Sequence, residues 1–345
     1  MSARSGIVAG GNWIVDKLKT VDTYPEQDAL ANIVGESAGN GGSPFNVLVD
    51  LAKLGAPFPL AGIGLIGDDA DGRWIAAQCR AHGIDAAGLG VEPAAPTSYT
   101  DVMTVRATGR RTFFHQRGAN AFLDDRHFAL EGRTEKIFHL GYLLLLDRLD
   151  RPDAEFGTVA ARTLARASTA GFKTSIDVVS EDSDRFARVV LPALPHVDYC
   201  ILNEFELGRT TGLAVRTPQG VDLAALETAA RRLLDAGVRE WVIVHFPEGA
   251  CALGREGRGH LRVQGSVLLP QAEIVGTVGA GDAFAAGVLH GLHEEAPIEE
   301  ALRAGTCAAA ACLRGMGTSE GIVPLAACRE LAAKFGFRPP PSSVE

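Results

Sequence analysis

The chain has 345 residues, of which 46% are apolar and 22% charged, so it can bury a sizeable core and lacks the composition of a disordered protein. A formal net charge of −9 offers no general attraction to nucleic acid or anionic lipid. No run of about 18 apolar residues occurs, and the first residues lack the apolar stretch of a signal peptide. Because the six cysteines are scattered without a CxxC pair, we expect reduced core thiols in a cytoplasmic protein.

Short apolar runs alternate with amphipathic segments along the chain. Strands are predicted at 6–9, 58–63, 137–146, 174–179, 199–202 and 241–245. Helices are predicted at 44–54, 72–82, 155–170, 223–236, 298–313 and 325–335. Many of the 40 glycines come just after the apolar runs, where turns from strand to helix belong. This order predicts an α/β domain whose central, mostly parallel sheet is covered by helices on both faces.

Two segments interrupt this alternation. Residues 14–38 have the pattern of strand, polar turn and strand, and residues 97–117 alternate with period two around the turn Thr108-Gly109-Arg110. They predict a small antiparallel sheet, formed from about 12–38 and 97–118, which makes a lid if the two segments pair. We expect residues 1–335 to form one domain and the proline-rich residues 336–345 to form a mobile tail.

The strongest chemical signal is the segment 276–287, GTVGAGDAFAAG, which opens an apolar helix. Its Gly-Ala-Gly turn leaves backbone N–H groups unpaired at the positive end of the helix dipole, where phosphate binds well. Asp282, in the first helical turn, is consistent with a simple capping role. A carboxylate beside a bound phosphate can also accept the proton of an attacking hydroxyl, as a general base in phosphoryl transfer.

Other motifs fit this part of the sequence poorly. A Walker A loop needs a lysine where Asp282 stands, and a dinucleotide fingerprint needs a third glycine where Phe284 stands. His290 and His293 are three residues apart on the same predicted helix, but no third metal ligand accompanies them. Asp177 ends a predicted strand and is a further candidate, since sites in open α/β sheets lie beyond the carboxyl ends of the strands.

The segment resembles the C-terminal signature of the PfkB, or ribokinase-like, carbohydrate kinases, written DTxGAGDxF. The match covers Thr277, Gly279, Ala280, Gly281, Asp282 and Phe284. The resemblance implies a ribokinase-like three-layer sandwich with a small β-sheet lid, an anion hole at 279–281 and Asp282 as the catalytic base. Gly276 stands where the family usually has an aspartate that helps to hold a monovalent cation, so dependence on K⁺ is left open.

Further matches follow in the order of the family. GNWIVD at 11–16, GNGGSPFN at 39–46 and GAN at 118–120 resemble its substrate-binding segments. They imply acceptor contacts from Asn12, Asp16, Gly41, Gly42, Asn46 and Asn120. Asn203 and Glu206 resemble the NxxE motif, which acts through water on Mg²⁺ and the nucleotide phosphates, and they are also compatible with a helix capping box. Thr277 and Gly249 complete the nucleotide contacts, although the TxGxxG loop of the family is matched only at 249–250.

These residues predict a Mg²⁺-dependent kinase that transfers the γ-phosphoryl group of ATP to a hydroxyl of a sugar or sugar-like substrate. A nucleoside kinase of the same superfamily is the first alternative. A ligand-binding homologue without activity is the second, motivated by Gly276 and by the weak nucleotide loop, although the retention of Asp282 argues against it. We expect small-molecule partners, neither nucleic acid nor membrane, and a possible homodimer through the exposed edges of the lid.

Overall fold

A computed structural model of the protein describes residues 4–255 and 260–340. In chain order its elements are β1 (Ile7–Gly11), β2 (Ile14–Val21), β3 (Ile33–Gly41), α1 (Ser43–Leu54), β4 (Leu60–Gly67), α2 (Ala70–Ala81), β5 (Ile84–Glu92), β6 (Ser98–Val105), β7 (Arg111–Gln116), β8 (Ile137–Leu143), β9 (Pro152–Asp153), β10 (Gly157–Thr158), α3 (Val159–Thr169), β11 (Lys173–Val178), α4 (Phe186–Val190), β12 (Tyr199–Asn203), α5 (Glu204–Thr211), β13 (Arg216–Thr217), β14 (Gly220–Val221), α6 (Leu223–Asp235), β15 (Trp241–Phe246), β16 (Gly249–Gly254), β17 (Arg262–Gly265), α7 (Ala280–His293), α8 (Ile298–Cys312) and α9 (Leu325–Phe335).

The main sheet runs in the order β17-β16-β15-β12-β11-β8-β1-β4-β5. All pairings from β15 to β5 are parallel, and only β16 and β17 are added antiparallel at one edge. The predicted central, mostly parallel sheet is therefore confirmed. The strands β5, β16 and β17 were not predicted, because their short glycine- and alanine-containing runs carry little apolar periodicity.

Successive residues of the central strands face different helical layers. On β1, Ile7 and Ala9 join the cluster formed with α1, α7 and α8, whereas Val8 joins the cluster formed with α3 and α6. Because both faces of a parallel sheet are covered, its strands are buried throughout, and β1 and β4 are buried at every residue. The architecture is a three-layer α/β sandwich.

Helix α7, which begins at Ala280 within the signature, packs closely on α8. A side chain at Gly287 would meet the Ala304 carbonyl oxygen at 2.7 Å and the Gly305 Cα at 2.8 Å. Gly291 faces Ala301 in the same way: a Cβ added at Gly291 would lie 2.8 Å from both the Cα and the Cβ of Ala301. Small residues on both helices therefore let the backbones approach, which explains the alanine-rich composition of α8.

The lid is a separate four-stranded sheet with the order β3-β2-β6-β7. The two predicted segments do pair with each other. The outer pairs β2–β3 and β6–β7 are antiparallel hairpins, but the central pair β2–β6 runs parallel, with Asp16 opposite Thr100. The hairpins are encoded by local turns, whereas the pairing between them joins residues far apart in the chain, so the sequence pattern did not reveal its direction.

Three boundaries differ from the sequence-based expectation. The strand predicted at 137–146 ends at Leu143, and the helix predicted from residue 155 begins at Val159 after the N-cap Thr158. The predicted tail is shorter, because the backbone at 336–338 bonds to residues 266–268 beside the main sheet. Residues 341–345 of that tail lie outside the described residues. Within the described part of the chain, no helix is long and apolar enough to cross a membrane.

Candidate active site

A cavity of about 700 Å³ lies between the lid and the carboxyl ends of the central strands. It collects most of the side chains and glycines singled out in the sequence. Those that line it are Asp16, Gly42, Asn46, Asn203, Glu206, Thr277, Gly279, Ala280, Gly281 and Asp282. The candidate Asp177 lines it as well. Residues from five separate parts of the sequence thus meet in one site.

The Gly-Ala-Gly turn forms the N-terminus of α7. Gly279 precedes the helix with a φ of 78°, a left-handed conformation that favours glycine. An added Cβ at Gly279 would also overlap the backbone of Thr318, so only glycine fits. The first N–H groups of α7 have no acceptor within the helix, and the helix dipole is positive here. Gly279, Ala280 and Gly281 all line the cavity, so this end of the helix lies at the cavity wall.

Asp282 is buried in the first turn of α7, with 6% of its surface exposed. Its Oδ2 accepts hydrogen bonds from Asn46 Nδ2 at 2.7 Å and from the Tyr142 hydroxyl at 3.0 Å. Burial raises the pKa of Asp282 above its ordinary value, and the nearby charge of Asp177 raises it further, while both hydrogen bonds act in the opposite direction. A carboxyl group with a raised pKa that opens on a cavity has the properties of a general base.

Asp16 lies on lid strand β2 and faces the same cavity. Burial, followed by the charge of Asp282, raises the pKa of Asp16 to about 7, and a hydrogen bond from Thr100 opposes this shift. Gly41, predicted as a substrate contact, does not line the cavity. A Cβ at Gly41 would overlap the Asp16 carboxylate, so this glycine makes room for Asp16.

Three other residues predicted as ligand contacts have partners within the protein. The Asn120 side chain accepts from the backbone N–H of Trp13 at 3.3 Å and donates to its carbonyl at 3.0 Å, a structural role. Asn12 is fully buried, and its Nδ2 donates to the Leu145 carbonyl at 3.2 Å. Gly249 pairs with Gly265 inside the main sheet. None of the three lines the cavity. Oδ1 of Asn12 is buried without a hydrogen-bond partner among the described residues, and the predicted ligand contacts of these residues stay predictions.

Asn203 and Glu206 form the capping box of α5 and line the cavity at the same time. Glu206 Oε1 accepts hydrogen bonds from Ser180 Oγ at 2.7 Å and Asn203 Nδ2 at 2.9 Å, and Oε2 accepts from the Asn203 N–H at 2.8 Å. Burial raises the pKa of Glu206 to about 8, and the charges of Asp177 and Asp282 contribute. The two interpretations of this motif are therefore compatible.

The cavity is strongly acidic. Five carboxyl groups line it, those of Asp16, Asp177, Glu181, Glu206 and Asp282. Among the described residues, Arg111 of lid strand β7 is the only lysine or arginine in the lining. His245 lies beside Phe284, and burial lowers its pKa to about 4, so its ring is neutral. An excess of carboxyl groups of this kind favours the binding of cations.

Sequence reasoning missed Tyr142, Arg111 and His245 as parts of the site. None belongs to a recognisable motif. Tyr142 and His245 lie at or near the carboxyl ends of β8 and β15, and that position is the signal that could have identified them. Arg111 had no comparable signal, because its role depends on how the lid lies over the main domain.

Comparison with known proteins agrees with this geometry. The family described as pfkB family carbohydrate kinase matches residues 15–325. The chain belongs to the pfkB family. It is accordingly a carbohydrate kinase, a phosphotransferase that uses an alcohol group as acceptor.

Among curated members of the pfkB family, the chain is 27% identical to probable fructokinase-7 of Arabidopsis thaliana, over 92% of this chain and 88% of the relative. It is 27% identical to fructokinase-1 of Oryza sativa subsp. japonica, over 94% and 95%. The ribokinase of Thermotoga maritima has a similar fold, with a TM-score of 0.75 at 21% identity over 95% and 99% of the two chains. Arabidopsis thaliana ribokinase complexed with ribose and ATP gives 0.74 at 22% identity, over 95% and 98%.

Proposed function

We propose that this pfkB protein transfers the γ-phosphoryl group of ATP to a hydroxyl of a sugar or sugar-like substrate. The observation that carries the proposal is the placement of Asp282 in the first turn of α7, directly after the turn 279–281 and open to the cavity. The names of the curated relatives, which are fructokinases, support a sugar acceptor. The neighbour complexed with ribose and ATP supports the donor.

Asp282 acts as the general base in this proposal. The pKa of Asp282 is raised toward neutral pH. A base with such a pKa is largely ionised at neutral pH and still takes up a proton readily. The N–H groups of Gly279, Ala280 and Gly281 stabilise the negative charge that develops on the transferred phosphoryl group. Asn46, bonded to Asp282, keeps the base oriented.

Asn203 and Glu206 are the residues that fit a role at Mg²⁺. Among the residues that the structure describes, no group of three or more acidic, histidine or cysteine side chains is arranged to hold a metal ion. Contact through water is therefore the mode that suits this pair. Burial is the main cause of the raised pKa of Glu206, and the charges of Asp177 and Asp282 add to it; a bound cation would offset these charges. When bound, Mg²⁺ neutralises charge on the nucleotide phosphates.

The acceptor is assigned to the end of the cavity near the lid, where Asp16, Asn46 and Thr100 supply polar groups for sugar hydroxyls. Closure of the lid excludes water, so that the phosphoryl group reaches the sugar and is not hydrolysed. A nucleoside acceptor is the second candidate, because Ile14, Phe113 and Leu145 give the same cavity apolar surface for a base. One structural neighbour is a nucleoside kinase from Methanocaldococcus jannaschii.

A coupled assay of ADP release tests the proposal. The panel contains ribose, fructose, 2-keto-3-deoxygluconate, adenosine and inosine, each with and without K⁺. We expect turnover with a sugar and little requirement for K⁺, because Gly276 carries no carboxylate and an added Cβ would lie 2.6 Å from the Gly315 carbonyl oxygen. Turnover with nucleosides alone would favour the second candidate, and no ADP release on a broad panel would favour a ligand-binding homologue.

Asp282→Asn tests the base itself. We expect kcat to fall at least about 100-fold, since removal of a base usually costs about 10²–10⁴ in rate. The nucleotide Kd should change little, because the anion hole consists of backbone groups. Full turnover by this variant on a good substrate would refute the assignment.

The possible homodimer and the cytoplasmic location remain predictions. Exposed apolar side chains on the edge strands β3 and β7 of the lid support the former, namely Ile33, Val34, Phe113 and Phe114. Light scattering of the purified protein tests it. A monomer at micromolar concentration would exclude a stable lid-to-lid dimer.

A further inference from the structure

The backbone is strained where β8 ends above the cavity. Tyr142 has a φ of 58° and Leu144 a φ of 79°, in the left-handed region that residues other than glycine rarely adopt. Such residues persist only where their surroundings hold them, and they concentrate at functional sites. The contacts that hold Tyr142 in this conformation therefore indicate what the strained segment does.

Asp177 holds the strained segment. Its Oδ1 accepts the backbone N–H of Tyr142 at 2.6 Å. Its Oδ2 accepts a hydrogen bond from Ser43 Oγ, which in turn lies 3.1 Å from His139 Nε2. The carboxylate is thus fixed on both oxygens, and Asp177 lies near the C-terminal end of β11, where the register of β11 against β8 shifts between Ile176 and Val178. Tyr142 therefore has its backbone fixed from the neighbouring strand.

The other end of Tyr142 reaches the base. Its hydroxyl donates to Oδ2 of Asp282 at 3.0 Å, beside the bond from Asn46 at 2.7 Å. Among the described residues both hydrogen bonds to this carboxylate fall on Oδ2. Oδ1 is thereby left to receive a proton from a ligand, and rotation of the carboxylate would break both bonds.

We propose that Tyr142 is a positioning residue: its hydroxyl fixes Oδ2 of Asp282 so that Oδ1 faces the acceptor hydroxyl, and Asp177 holds Tyr142 in the conformation that permits this contact. The inference rests on the proposed role of Asp282 as base. It adds a residue outside the glycine-rich motifs, and it gives Asp177 a function through the backbone of Tyr142.

The proposal has a consequence for pH dependence. Several titratable groups face Asp282 from the surrounding elements: Asp16 on β2, Asp50 on α1, His139 on β8, Asp177 on β11, Glu206 on α5 and Cys312 on α8. Tyr142 differs from all of these groups because its phenol donates directly to the carboxylate. A donated hydrogen bond favours the charged form, so loss of the phenol raises the pKa of Asp282.

Tyr142→Phe is the test, because it removes only the hydroxyl and leaves the ring and backbone in place. We expect kcat to fall about tenfold or more, as for loss of a hydrogen bond to a charged group, with an unchanged nucleotide Kd. The acid limb of the profile of kcat against pH should move to higher pH. Tyr99→Phe, on lid strand β6 and outside the cavity lining, is the matched control and should show neither change.

A double-mutant cycle separates this inference from the proposed function. If Tyr142 acts through Asp282, Tyr142→Phe should lower the residual kcat of Asp282→Asn by less than about twofold. Two results would overturn the positioning role while leaving Asp282 as base. One is that Tyr142→Phe lowers kcat as strongly in the Asp282→Asn variant as in the unsubstituted protein, and the other is that Tyr142→Phe alone changes neither kcat nor the pH profile. Full activity of Asp282→Asn would instead remove the proposed function.

Discussion

The guanidinium group of Arg111 donates from Nη1 to the hydroxyl of Thr277, 3.2 Å away, and so connects lid strand β7 with the loop that leads into α7. Within the described residues it is the only arginine or lysine that lines a cavity with five carboxyl groups. Burial lowers the pKa of Arg111, yet an arginine remains charged at any working pH. The lid thus carries positive charge toward the place proposed for the transferred phosphoryl group.

Arg111→Met should weaken nucleotide binding and slow turnover. We expect the Kd of ATP to rise about tenfold or more, since hydrogen bonds to charged groups contribute about 1.5–3 kcal/mol. Isothermal titration measures the affinity, and the ADP-release assay measures kcat. Arg110→Met is the control, because Arg110 is exposed at the neighbouring turn and does not line the cavity. Equal effects of the two substitutions would mean that Arg111 acts only through the general charge of the lid.

Gly41→Ala should damage acceptor binding and spare nucleotide binding. An alanine methyl group here would overlap the carboxylate of Asp16 and displace it from the cavity, so we expect the KM of the acceptor to rise about tenfold or more. Gly39→Ala is a close control, because nothing lies within 4 Å of an added Cβ two residues earlier on the same strand. A normal acceptor KM for Gly41→Ala would show that Asp16 does not contact the acceptor.

The stability of the ligand-free protein should fall as the pH rises from about 4 to about 8. In the folded state the pKa of Glu206 is raised to about 8 and that of Asp16 to about 7, whereas both lie near about 4 in the unfolded chain. Between these values the folded state binds more protons than the unfolded state, so raising the pH favours unfolding. Thermal unfolding followed by circular dichroism should show a falling Tm across this range.

Glu206→Gln should make that decline shallower, because glutamine keeps the capping box but does not titrate. Glu204→Gln, in the same turn of α5 and outside the cavity lining, is the control. A Tm that rises steadily from pH 4 to 8 in the unsubstituted protein would contradict the raised pKa values.

Motifs near strand ends predicted much of this site. Asp16, Asn46 and Asp282 are far apart in the sequence, yet each follows or lies on an element whose end faces one edge of the sheet, and they meet as expected. The direction of single side chains could not be predicted in this way. Asn12 and Asn120 belong to matching segments but bond to nearby backbone groups, and that choice depends on packing that the sequence pattern does not show.

The fold was predictable to a similar depth. The apolar runs predicted where the central strands lie along the chain, because burial on both faces leaves a strong local pattern. The pairing of β2 with β6 joins residues about eighty positions apart in the sequence, and no local turn encodes its parallel direction. The strained end of β8 was also hidden, since Tyr142 and Leu144 continue an apolar run, whereas the carboxylates that accept their backbone N–H groups, Asp177 and Asp150, come later in the chain.

The glycines midway along α7 tie the chemistry to the interior of the molecule. Gly287 and Gly291 lie one to three turns beyond Asp282 on the same helix, α7. Their close contact with α8 fixes how far α7 extends toward the cavity. The position of the Asp282 carboxylate thus depends on an apolar contact between α7 and α8 that lies away from any substrate. Substitutions that inactivate this protein should accordingly be found in the buried contact between α7 and α8 as well as among the residues that line the cavity.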